Sequence, residues 1–147
     1  MRALVQRVSE ASVVVGGVVT GLIGKGLLVF VGVHQDDTEI QAEQLAGKVL
    51  RLRIFPDDEG KMNRSLIEVA GQLLVISQFT LYGETRKGNR PSYSEAARPE
   101  IAKPLYRHFI RTCENAGVKV ERGVFQAHMD VRLVNDGPVT LMCYSEP

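Results

Sequence analysis

Residues 27–52 read LLVFVGVHQDDTEIQAEQLAGKVLRL, and the periodicity of the chain changes inside this stretch. Leu27 to Val33 is almost unbroken apolar sequence, the pattern of a strand covered on both faces. From Thr38 the spacing turns helical. Thr38-Glu39-Ile40-Gln41 has the form of a capping box, and Ala42, Leu45, Ala46, Val49 and Leu52 then fall on one stripe, predicting a helix that ends near Arg53. Upstream of the central strand, Leu4–Val8, Ala11–Val15 and Val18–Thr20 are strand-like, and Gly16-Gly17 marks a two-residue hairpin. Downstream, Pro56 to Gly60 is a polar turn, and the chain then reads as irregular until Leu73 to Phe79 resumes a strand. Lys87-Gly88-Asn89-Arg90-Pro91 is a loop. A second helix is predicted from about Pro99 to Asn115, with Ile101, Leu105, Phe109 and Cys113 in a row and Gly117 as its stop. Pro104 is awkward there, because it removes an amide donor. Val118–Glu121, Met129–Val134 and Val139–Tyr144 complete the strands. This order fits neither a regular βαβ alternation nor an all-β barrel. The expected class is α+β: a mostly antiparallel, barrel-like sheet core with two main helices.

The chain has 147 residues, of which 44% are hydrophobic and 24% charged, which is the balance of one domain spanning 1–147 rather than a disordered chain. A chain of this size hides about 68–70% of the surface its unfolded form exposes, so it needs neither disulfides nor metals to hold a core. The least polar stretch, Ala11 to Val33, is broken by six glycines, Thr20 and Lys25 and is no membrane span. The first residues carry no apolar signal segment, so the expected compartment is the cytoplasm. Cys113 and Cys143 lack metal or redox spacing and read as buried free thiols. Charge is polarised along the chain. Residues 36–59 carry seven acids and three bases, whereas residues 84–111 carry seven bases and three acids. A basic second half suits phosphates, although a solvated helix face is the commoner meaning of such an excess.

The usual chemical motifs are missing: the sequence holds no P-loop, no GxGxxG, no HExxH and no GxSxG. His34, His108 and His128 are scattered and form no zinc set, so no metal is expected. Ser77-Gln78-Phe79-Thr80 places polar groups where an apolar strand ends. Strand alternation puts Ser77 and Phe79 on one face and Gln78 and Thr80 on the other, and amides freed from the ladder there could form an oxyanion hole. The plain alternative, which pattern alone favours, is a strand running into a polar loop, and no general base stands beside Thr80 in the sequence. Asn135-Asp136-Gly137-Pro138-Val139-Thr140 is the second candidate. Gly-Pro between strands is ordinarily a turn, yet an X-Pro bond is where a cis peptide is cheap, and cis geometry would point two carbonyls the same way.

Taken together, Met1 to Val8, Gly60-Lys61-Met62-Asn63, Ser77-Gln78-Phe79-Thr80-Leu81, Lys87 to Ser92 and Asn135 to Thr140 resemble the D-aminoacyl-tRNA deacylases, in that family's order and spacing. The resemblance implies a homodimer, without cofactor, that hydrolyses the ester between a D-amino acid and the terminal adenosine of tRNA and also removes mischarged glycine. It implies that Ser77, Gln78, Phe79 and Thr80 line the ester, with the Phe79 amide facing the oxyanion. In the family the substrate's own 2′-hydroxyl assists water, so Thr80 need not be a nucleophile. Gly137 and Pro138 would enter the other subunit's pocket, hold the substrate amine through their carbonyls and leave no room for an L side chain. Ala102, Phe125 and Met129 match positions that receive the terminal adenine, while their plain reading is core packing. Arg7 is expected to brace the Gly-Pro loop, or simply to decorate an outer strand face. The basic 84–111 segment, including Arg86, Lys87 and Arg90, would face acceptor-stem phosphates. Three positions depart from the family pattern: Gln126 stands where glycine is usual, Tyr93 where phenylalanine is, and Pro104 where a better helix former is. A binding module on the same fold, without catalysis, is the other reading of the chain.

Overall fold

A computed structural model describes residues 1–146. The strand-like runs at the start are one strand, β1 (Arg2–Val15), where the sequence predicted two. Ser9-Glu10 does not interrupt it, because the ladder absorbs the polar pair through register shifts rather than a turn. Gly16 and Gly17 take φ of +56° and +80° and close a two-residue hairpin onto β2 (Val18–Ile23), with Val15 opposite Val18. The next strand, β3 (Gly26–Gly32), is buried at every position but Phe30 and runs antiparallel to the first half of β1.

Thr38 caps α1 (Glu39–Arg51) through the expected capping box, and Ala42, Leu45, Ala46 and Val49 face the core. The helix stops just short of Arg53, with Leu52 already extended. The segment read as irregular holds a small hairpin, β4 (Phe55–Pro56) and β5 (Met62–Arg64), turned by Asp57, whose carboxylate accepts the amides of Glu59 and Lys61. Its strands are too short to carry a visible alternation.

β6 (Gln72–Ser77) lies beside β3 in parallel, and β7 (Val120–Arg122) lies parallel to β6, each reached through a helical crossover. The second crossover contains a 3₁₀ turn, Phe79–Tyr82, and α2 (Pro99–Asn115), whose bounds agree with the prediction. Pro104 sits on the exposed side of α2 without ending it. Ile101, predicted in the apolar row, is 42% exposed, and the buried stripe is Leu105, Tyr106, Phe109, Ile110 and Cys113. The last strand, β8 (Asp130–Tyr144), pairs with the free edge of β1 along most of its length.

The sheet is therefore mixed, in the order β2-β1-β3-β6-β7 with β8 also pairing with β1. Its two ends curl together: a side chain on Gly21 of β2 would lie 2.9 Å from the Arg122 carbonyl of β7, so the sheet is nearly closed. Val8, Val13, Ile23, Leu28, Leu74 and Ile76 fill the inside of this barrel-like sheet, and the larger core lies between its other face and the two helices. The class is α+β, as expected. No helix among the described residues is long and apolar enough to cross a membrane.

Candidate functional site

The predicted Ser77–Thr80 segment lies where β6 leaves the sheet. The Gln78 amide still donates to the Val31 carbonyl at 2.8 Å, and the chain then tightens into the 3₁₀ turn, in which the Leu81 amide returns to the Gln78 carbonyl. Strand alternation consequently stops at Ser77, and the expected two-face arrangement of Ser77 to Thr80 does not form. The amides of Phe79 and Thr80 open the turn, so no carbonyl of the turn precedes them and, among the described residues, none bonds them. The Thr80 hydroxyl accepts a hydrogen bond from the Gln78 side chain and has no histidine or carboxylate partner.

A cavity of about 670 Å³ opens beside this turn. Ser77, Gln78 and Phe79 form one wall, Ala102 of α2 another, and Phe125 and Met129 the floor. These six predicted residues come from three segments spread over fifty residues of sequence and meet around one space, whereas Thr80 does not line it. Phe79 is 55% exposed and packs edge-on against Tyr93, with ring centroids 5.1 Å apart. Phe125 leans on Tyr106, which anchors the floor by donating its hydroxyl to the Val75 carbonyl at 2.9 Å. Gln126 adopts φ of +67°, the left-handed backbone that glycine tolerates best, at the position where the family resemblance expected glycine. Gly123 lies close by, and a Cβ there would stand 2.5 Å from the Met129 sulfur, so a larger residue would have to displace the Met129 side chain from the floor. Tyr93, Arg98 and His128 also line the cavity. Pattern reading had no hold on them, because each lies in or beside an irregular segment whose path only the packed chain defines.

Gly137 and Pro138 lie outside this cavity. They sit mid-way along β8, where residues 136–139 loop out opposite Arg7 alone, between the pairs Gln6–Thr140 and Val8–Asn135. The sequence predicted a turn between two strands; the finding is an excursion within one strand. The Gly137–Pro138 peptide is cis, and both residues are exposed. Arg7 donates to the Asp136 carbonyl at 2.8 Å and to the Ile54 carbonyl at 2.6 Å, and so ties the loop to the body. The Asn135 side chain clamps the other end, accepting the Val139 amide at 2.8 Å and donating to its carbonyl at 3.2 Å. The sequence had not singled out Asn135 for a role of its own, although asparagine before a Gly-Pro turn is a residue type that bonds its own backbone.

Around that loop β8 exposes apolar side chains. Val134, Leu141, Met142 and Tyr144 are 38–51% exposed along an edge strand. Both cysteines are free and buried, and burial pushes the Cys113 thiol up to about 12. Among the described residues no group of three or more His, Cys, Asp or Glu is placed to hold a metal ion.

A family model described as D-Tyr-tRNA(Tyr) deacylase matches residues 4–144. Curated relatives named D-aminoacyl-tRNA deacylase cover nearly the whole chain. Those of Thermosipho africanus and Opitutus terrae are 56% and 59% identical, over 99% and 97% of this chain and 98% and 95% of the relatives. A solved structure named c-Myc DNA Unwinding Element Binding Protein is 37% identical, with a TM-score of 0.94 and full coverage of both chains. Another, described as a probable eukaryotic D-amino acid tRNA deacylase, shares the fold at a TM-score of 0.84 and 21% identity over 97% of each chain.

Proposed function

The chain belongs to the D-Tyr-tRNA(Tyr) deacylase family, and from that premise we propose that it is an aminoacyl-tRNA editing hydrolase that releases D-amino acids from tRNA. The observation that carries the reading is the cavity at the end of β6: it joins amides with no internal acceptor to an apolar floor and contains no paired nucleophile and base. Such a site stabilises charge developing on a substrate oxygen rather than attacking the substrate itself.

In this reading the terminal adenine lies on Phe125, Met129 and Ala102, and the ester carbonyl faces the Phe79 amide. Ser77 and Gln78 shape the wall beside it. Water, assisted by the ribose 2′-hydroxyl, adds to the ester carbon; the tetrahedral intermediate collapses, the bond to the 3′-oxygen breaks, and that oxygen takes a proton. The products are free amino acid and tRNA, and the reaction calls on no cofactor. Two copies pair through the apolar edge of β8, and each delivers Gly137 and Pro138 to the other's cavity, where their carbonyls take the substrate ammonium. An L side chain then meets the loop, while a D side chain points away and glycine passes. The exposure of the loop, its absence from its own cavity, and its bracing by Arg7 and Asn135 support this assignment. The expected setting is the cytoplasm, where charged tRNA is found, with one domain over 1–147 carrying the activity.

The test is release of amino acid from one tRNA charged with D-tyrosine or with L-tyrosine. Release of D-tyrosine alone is expected. A second reading, a nucleic-acid-binding module without catalysis, is favoured by the 37%-identical solved structure, whose name is that of a DNA-binding protein. It predicts release of neither, with the same affinity for charged and uncharged tRNA.

A further inference from the structure

We propose that the outer face of α2, through Lys103 and Arg107, is the track along which the phosphate backbone of the tRNA acceptor end leaves the cavity. This inference rests on the reading of the cavity as the seat of the terminal adenosine, and it names the surface that holds the rest of the substrate. The first turn of α2 forms part of the cavity wall through Arg98, Pro99 and Ala102. Lys103 follows directly, with its ammonium 5.9 Å from the Phe125 ring that floors the cavity. Arg107 is one helical turn further, about 6 Å along the axis. Both side chains are exposed on the side opposite the buried stripe of Leu105, Phe109 and Cys113.

Neither cation is neutralised by an ion pair among the described residues, and what sets them apart from the other unpaired cations near the mouth, Arg98, Lys87 and Arg90, is that they lie in line along one exposed helix face leading away from the cavity floor. Arg86 is bound to Glu84, Arg122 to Glu114, Arg64 to Asp58 and Arg7 to Asp136, whereas Lys103 and Arg107 form no ion pair among the described residues. Glu100, a turn before Lys103, makes no ion pair with it either. The track has an end as well. Arg111, a turn beyond Arg107, borders a groove lined by Glu39 and Glu43, carboxylates that repel a phosphate. The loop carrying Lys87 and Arg90 also approaches the mouth through Tyr93; its Arg86 is held by Glu84, but Lys87 and Arg90 form no ion pair among the described residues, so this loop is the rival track that the experiment separates from α2. Unneutralised cations contiguous with a substrate cavity attract a polyanion regardless of its sequence, and each phosphate contact makes binding weaken with salt.

The experiment measures the affinity of full-length uncharged tRNA, so that it stands whether or not the protein hydrolyses the ester. Raising salt from about 50 to about 200 mM weakens binding by about 3.5-fold for each phosphate contact. The double variant Lys103→Ala, Arg107→Ala is expected to bind more weakly at the lower salt, and to lose about tenfold less affinity across that range than the unaltered protein. Lys103→Arg should keep the original slope. Hydrolysis of D-tyrosyl-adenosine, which has no phosphate, should be unchanged in the double variant, while KM for D-tyrosyl-tRNA rises at constant kcat. An unchanged slope and affinity in the double variant overturns the proposal. So does flattening of the slope by Lys87→Ala, Arg90→Ala instead, which would put the backbone on the loop. Failure of the unaltered protein to cleave either ester would count against the editing reading and leave the binding result to decide the track.

Discussion

Thr80 is a residue type that suggests a nucleophile in surroundings that supply no base for one. Its hydroxyl sits in a segment where an ester is expected, but it bonds the Gln78 amide group, lies outside the cavity lining and has no base in reach. A hydroxyl without a base is a weak nucleophile at neutral pH. Thr80→Ala is therefore expected to keep D-aminoacyl-tRNA hydrolysis within about tenfold in kcat/KM; a drop of about 10³-fold or more in a folded variant would restore a protein nucleophile. Gln126 teaches the converse. Its positive φ is a backbone demand that glycine meets without strain, so the local geometry persists although the residue there differs. Arg7 was expected to brace the Gly-Pro segment only through the family resemblance, since an arginine on an outer strand face has the same sequence pattern, whereas Asn135, which clamps that segment from within, was passed over as part of a turn.

At the scale of elements, the helices were the most legible parts of the chain. Thr38 and Gln41 satisfy each other's backbone amides at the start of α1, so the boundary is written in side-chain chemistry and needs no tertiary information. Thr38→Ala should lower unfolding free energy by about 1 kcal/mol without changing the denaturant slope, as read by urea unfolding. α2 was equally plain at its ends, with Pro99 at its first turn and Gly117 at φ +88° beyond its last. Its inner face was read one residue off at the start. Ile101 is turned outward because the sheet below is met by Ala102 and Leu105, a matter of how the helix is docked and not of its own periodicity. Strands were less legible. β1 and β8 each read as two, because polar or turn-forming residues inside a strand look the same as residues that end one until the partner strand absorbs them as a bulge.

The whole molecule depends on pairings that link distant segments. β3 and β6 are parallel, and they approach so closely that a Cβ on Gly26 would lie 1.9 Å from the Gln72 carbonyl. The same packing hides titratable groups. Burial pushes the Tyr106 hydroxyl from 10.0 to about 12 and the Cys113 thiol from 9.0 to about 12. Both groups bind their protons more tightly folded than unfolded, so the stability they contribute is complete below the ordinary thiol value of 9.0 and is lost as pH rises toward about 12. The urea midpoint is expected to fall between about pH 8 and about pH 10.5, and to fall less in Cys113→Ala; an unchanged midpoint in that window would show that neither group is shielded as the fold places it.

The cavity residues were named by the family resemblance; the sequence pattern by itself determined the α+β class, both helices with the capping box of α1, and the central strand. It could do so because these depend on periodicity and on bonds made within a few residues. Tertiary structure alone decided that two sheet pairings are parallel, that β1 and β8 are continuous, that Thr80 stays outside the cavity and that Gly137 and Pro138 stand apart from it. Those outcomes depend on which distant segment supplies the opposite edge of a ladder or the facing wall of a space, and local sequence carries no record of that partner.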